Sequence, residues 1–153
     1  MTWLISPNVE GNELSWLTEE GSLTDRLKKE FHDVKVEVIY EGIYPLDRQY
    51  FSREVMLKSK NIPRIFARTL VQENDLKGAW SSLKNLGDQS LATILFNSPE
   101  IKKISVVYRE LFLEDDLFKY VDFLTTITKR SLWARKSSWA KEGAILNLIE
   151  IFL

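Results

Sequence analysis

Six stretches of this chain read as extended, and the clearest, from Val34 on, alternates with a period of two. Val34, Val36, Val38 and Tyr40 fall on one side and Lys35, Glu37 and Ile39 on the other, until Gly42 and Pro45 end the run. Gln49–Lys58 and Arg64–Val71 follow, separated by Asn61-Ile62-Pro63, which is turn chemistry at hairpin spacing. Ile101–Leu113 is a long strand, and Leu132–Trp139 with Ala144–Leu153 form a terminal hairpin that turns at Lys141-Glu142-Gly143. Strands this close in sequence pair antiparallel.

Helical signals lie between them. Glu13–Glu20 reads as a short helix. Ser22 caps a second, with Asp25 in its first turn, Lys28 and Lys29 later, and an end near Phe31. Leu76, Ala79, Trp80, Leu83 and Leu86 have helical spacing, so Asp75–Leu86 is expected as a helix stopped by Gly87. Leu91–Phe96 and Asp115–Thr126 complete the set. The expectation is an α+β fold of one domain, residues 1–153: a single antiparallel β-sheet of about six strands with helices placed over it.

Composition narrows the chemistry. With no Cys and a single His, thiol nucleophiles, disulfides, zinc ribbons and two-imidazole sites are excluded, and a Ser-His-Asp triad would have to use His32. His32 itself reads as a helix C-terminal residue. No GxGxxG, P-loop, HExxH or GxSxG motif occurs. Lys+Arg 21 against Asp+Glu 22 gives a net charge of -1, without the basic field expected of a nucleic-acid partner. The N-terminal Met-Thr-Trp-Leu-Ile-Ser-Pro has no signal-peptide character, and no apolar run approaches the ~20 residues of a membrane span. A cytoplasmic monomer without a membrane span is the expectation.

The informative residues are charges on apolar strand faces. Alternation puts Glu150 with Leu146, Leu148 and Phe152, and Arg53 with Phe51, Val55 and Leu57. Burial of a carboxylate raises its pKa and can poise it for proton transfer, and a buried guanidinium needs an anion. Arg53 and Glu150 could pair with each other, or with neighbours such as Glu54, as a structural salt bridge. Arg53 could instead bind a ligand. Arg68, flanked by Phe66 and Leu70, is a third such residue, and Arg135, between Trp133 and Ser137, a fourth. Leu23 and Leu91 each open a helix after a serine, where free amides favour an anion unless Ser22 and Ser90 satisfy them alone. Lys28-Lys29 and Lys102-Lys103 read as solvated faces.

Taken in order, Trp16-Leu17-Thr18, Ser22-Leu23-Thr24-Asp25-Arg26-Leu27, Arg53-Glu54-Val55-Met56-Leu57, Ala67-Arg68-Thr69-Leu70, Leu86-Gly87, Leu91, Leu95-Phe96, Leu132-Trp133-Ala134-Arg135-Lys136-Ser137 and Glu150-Ile151-Phe152-Leu153 resemble the chorismate pyruvate-lyase family over nearly the whole chain. The resemblance implies elimination of pyruvate from chorismate to give 4-hydroxybenzoate, a ubiquinone precursor, in a buried ligand site, with no metal and no organic cofactor. It implies that Arg53 and the amides of Leu23 and Leu91 bind the ring carboxylate and that Glu150 meets the 4-hydroxyl. Arg68 is then the candidate for the second carboxylate. The chain departs from the family in having Ala92 where glycine is usual, Gln72 where proline is usual, Lys102 and Lys103 where an arginine is common, and a longer Leu113–Thr128 stretch. A non-catalytic domain of the same fold that senses small carboxylates is the alternative.

Overall fold

A computed structural model describes residues 2–153. Its elements run α1 (Gly11–Leu17), α2 (Leu23–Phe31), β1 (Lys35–Ile43), β2 (Tyr50–Ser59), β3 (Ile62–Gln72), two 3-10 turns (Glu73–Lys77 and Ser81–Asn85), α3 (Ala92–Leu95), β4 (Lys102–Phe112), α4 (Asp116–Leu124), β5 (Ser131–Lys141) and β6 (Ala144–Phe152). The strands form one six-stranded antiparallel sheet in the order β1-β2-β3-β6-β5-β4. Two three-stranded meanders therefore meet where β3 pairs with β6, at the middle of the sheet. The expected α+β architecture and its six strands are present.

Both tight hairpins turn on two residues with positive φ, Lys60-Asn61 (51° and 64°) and Glu142-Gly143 (51° and 79°), which suits the twist of paired strands. The first turn therefore falls before Ile62-Pro63, not on Asn61-Ile62-Pro63. Ile62 and Pro63 belong to β3, and Pro63 sits opposite Lys58 at a register irregularity that spares its missing N–H.

The expected Asp75–Leu86 helix is not formed. Gly78, at φ -129° and ψ -119°, breaks the segment, and the chain makes two 3-10 turns instead. The Trp80 amide donates back to the Asp75 carbonyl, and the fully buried Trp80 indole donates to the Ala144 carbonyl at 3.2 Å. Burial of that large ring, with Leu76, Leu83 and Leu86, outweighs helix propensity.

Two cores flank the sheet. One face carries Val55, Leu57, Ile65, Val71, Leu146, Leu148 and Trp139, covered by α2, the 3-10 turns and α3. The other carries Met56, Phe66, Leu111, Leu132, Ala134 and Ile151, covered by Phe118 and Val121 of α4. No helix among the described residues is long and apolar enough to cross a membrane.

Candidate functional site

The first face holds a cavity of about 50 Å³. Val55, Leu57, Ala67, Leu148 and Trp139 form its apolar floor; Leu23 and Thr24 from the start of α2 and Ser90 to Ala92 from the turn before α3 close it above. The Thr24 and Ser90 hydroxyls share a hydrogen bond of 2.7 Å, which ties these two covering segments together. The serine caps do not use the amides in question. Ser22 Oγ accepts from the Asp25 amide at 3.1 Å, and Ser90 Oγ from the Ala92 amide at 3.2 Å, so neither takes the Leu23 or the Leu91 N–H.

Glu150 lines this cavity beside Arg135. Both are 8% exposed. They stand opposite each other in the β5–β6 register, and Arg135 Nε and Nη2 both lie 2.9 Å from Glu150 Oε1. Arg135 Nη1 donates to the Leu17 and Glu19 carbonyls at 3.1 and 2.7 Å, so the same guanidinium fixes the end of α1 at the cavity rim. The partner of Glu150 is thus Arg135, a neighbour on β5, and of the pairings open to it the one with Arg53 does not form. β3 lies between β2 and β6 and keeps Arg53 two strands away.

Arg53 is 1% exposed and does not line the cavity. Its Nη2 donates to the carbonyls of Gly87 and Gln89 at 3.1 and 2.7 Å, which holds the turn that leads into Leu91. Gly87 itself has φ 59°, and that positive value orients the turn. Arg53 Nε approaches Glu41 Oε2 at 3.3 Å but makes no hydrogen bond. Burial pulls the pKa of Arg53 below its usual value, and the nearby negative charge of Glu41 opposes that shift.

Arg68 lies elsewhere. In the β2–β3 register it pairs with Glu54, whose side chain alternates to the face opposite Arg53, and Arg68 Nε meets Glu54 Oε2 at 2.6 Å. The Tyr120 hydroxyl donates to the other Glu54 oxygen, and the Arg68 guanidinium sits within 5.3 to 5.9 Å of the Tyr120, Tyr44 and Phe66 rings. Arg68 is therefore on the α4 side of the sheet, away from the cavity.

Two residues near the site were hidden from alternation. A bulge at Ile39 shifts the β1 register between Val38 and Tyr40, so Glu41, not Tyr40, comes opposite Arg53. A second irregularity between Lys103 and Ser105 in β4 puts Lys103 opposite Trp139, so that, although exposed as expected, it stands at the rim of the cavity. A parity break in an otherwise strict run, with an apolar residue left exposed as Ile104 is, was the available signal.

A family profile described as chorismate lyase matches residues 1–153. The chain is 30% identical over 160 residues to the chorismate pyruvate-lyase of Erwinia tasmaniensis, covering 97% of this chain and 82% of that protein. It is 29% identical over 150 residues to the chorismate pyruvate-lyase of Pectobacterium atrosepticum, covering 90% and 75%. Among solved structures, the effector domain of PhnF from Mycobacterium smegmatis superposes with TM-score 0.55 at 11% identity, over 86% of this chain and 88% of that one, a likeness of fold alone. By its sequence over its full length, the chain belongs to the chorismate lyase family.

Proposed function

We propose that this protein eliminates pyruvate from chorismate to give 4-hydroxybenzoate, without a cofactor. The observation that carries the reading is the convergence of Leu23, Leu91 and Glu150 on one apolar cavity in a chain of this family. Chorismate is a cyclohexadiene with two carboxylates. Breaking its C3–O ether bond and removing the hydrogen at C4 makes the ring aromatic, which supplies the driving force. The protein must hold the ring in an elimination-ready pose, keep water out and stabilise shifting charge.

Arg53, which shares the sheet face of Val55 and Leu57 but stands outside the cavity lining, supplies the positive charge for the ring carboxylate from behind the Leu91 turn. Its Nε has no hydrogen-bond partner although the residue is buried, and its Nη2 keeps the Leu91 turn in position. The Leu23 and Leu91 amides, free of their serine caps, face the same anion. Glu150 holds the 4-hydroxyl: Arg135 occupies Oε1 only, which leaves Oε2 to accept from the ligand. The floor of Val55, Leu57 and Leu148 presents the apolar surface that an aromatic product prefers.

The test is direct. Purified protein is mixed with chorismate and no added cofactor, and pyruvate and 4-hydroxybenzoate are followed together. Equimolar release of both is expected; saturable binding of chorismate without either product overturns the reading.

A further inference from the structure

The substrate read above is a dianion, and Arg53 with the two amides accounts for one carboxylate. Arg68 lies on the far side of the sheet, so the second carboxylate needs another cation. We propose that Lys103 holds the enolpyruvyl carboxylate of the substrate at the cavity rim and so separates the dianionic substrate from its monoanionic aromatic product. The inference rests on the lyase reading.

Three observations support it. The irregularity around Ile104 turns Lys103 onto the cavity face, opposite Trp139, while Lys102 stays on the other side opposite Ala140. A bulge that re-aims one side chain is a recurrent device beside binding sites. The Lys103 ammonium rests 5.3 Å from the Trp139 ring centroid, which fixes the flexible stem over the cavity. Among the described residues no carboxylate comes within 4.0 Å of it, whereas Arg135, the other cation lining the cavity, is already committed to Glu150.

The surrounding charges agree with an ammonium that would gain from an anion. Its pKa is lowered, first by burial and then by the positive charge of Arg135, with Glu20 and Glu150 acting in the opposite sense. Lys103 and Glu20 are both exposed, so solvent screens their attraction, and the Glu19 carboxylate is engaged by the Gly21 amide and Arg26. A carboxylate at the rim would restore an opposite charge to Lys103 as a charge-assisted contact.

The experiment compares Lys103→Met, Lys103→Arg and Lys102→Met with the unaltered protein, measuring kcat and KM for chorismate and the competitive inhibition constant of 4-hydroxybenzoate. Lys103→Met is expected to raise KM by about tenfold or more with a much smaller change in kcat, because the lost contact is made in both ground and transition states. The 4-hydroxybenzoate constant should stay within about twofold, since that ligand lacks the second carboxylate. Lys103→Arg should recover most of the affinity, and Lys102→Met should behave as the unaltered protein. If the unaltered protein turns over chorismate but Lys103→Met leaves KM unchanged, or weakens substrate and product alike, the assignment of Lys103 is overturned while the lyase reading stands. An unaltered protein that binds chorismate without turnover overturns the lyase reading itself, and this inference with it.

Discussion

Arg135 and Glu150 face each other across β5 and β6 at 8% exposure each, and a buried pair of this kind is seldom a net source of stability. Removing one member leaves a desolvated charge, whereas replacing both by apolar groups of similar volume is often close to neutral. That asymmetry separates an architectural pair from a working one. Arg135→Met should cost about 3–5 kcal/mol in chemical denaturation, and the double variant Arg135→Met/Glu150→Leu should recover most of it. If Glu150 holds the ligand hydroxyl, the double variant is folded and inactive; a folded double variant with normal turnover would return the pair to architecture. Alternation assigned Arg53, Arg135 and Glu150 to faces on which they are found, but parity fixes a face and not a neighbour. Which arginine meets Glu150 depends on the lateral order β3-β6-β5, and no local pattern encodes that order. The Arg68 row illustrates the same limit, since Phe66 beside it belongs to the second core.

At the scale of elements, strands with strong alternation were legible almost to their ends, because each buries one or both faces against a core. The failures came where one residue changes the count. Ile39 and Ile104 each stand as an extra residue in an edge strand, and each reverses the face of what lies beyond it, Glu41 in β1 and Lys103 in β4. The 73–85 segment failed for another reason: its helical spacing is real, but Gly78 lets the chain turn so that Trp80 is buried. α4 docks through a polar contact that spacing did not disclose, the Tyr120 hydroxyl on Glu54. Burial, then the hydrogen bond to Glu54 and its charge, push the Tyr120 phenol from 10.0 up to about 12, with Arg68 opposing. The folded state therefore holds this proton more tightly than the unfolded chain. Its contribution is intact below about pH 10 and is lost as the pH climbs through about 12. Tyr120→Phe should cost about 1 kcal/mol near neutral pH, and its urea midpoint should fall less steeply than that of the unaltered protein between about pH 10 and about pH 12. Parallel alkaline limbs for the two proteins would show that this phenol is not the group responsible.

For the whole molecule, the sheet is a continuous platform in which β3 and β6 join two meanders, and the cover over its first face arrives from separate parts of the sequence. The start of α2 precedes all the strands, and the turn before α3 lies between the two meanders, at residues 86–91. Few bonds hold these segments to each other and to the sheet: the Thr24–Ser90 hydroxyl contact, the Arg53 bonds to Gly87 and Gln89, and Arg135 on the Leu17 and Glu19 carbonyls. A ligand that accepts from both the Leu23 and Leu91 amides would add a contact to each segment at once, so binding and folding should be linked. With 4-hydroxybenzoate at about 100 times its Kd, the linkage is worth about 2.7 kcal/mol, which for a chain of this size raises Tm by about 5–10 °C. Hydrogen exchange should show where that stabilisation enters, with new protection concentrated at residues 22–25 and 87–92 and little change on the α4 side of the sheet. Benzoate, which keeps the carboxylate but lacks the hydroxyl that Glu150 would accept from, should protect the same amides at a higher Kd. Protection centred on α4, or a Tm indifferent to saturating 4-hydroxybenzoate, would move the ligand out of this cavity.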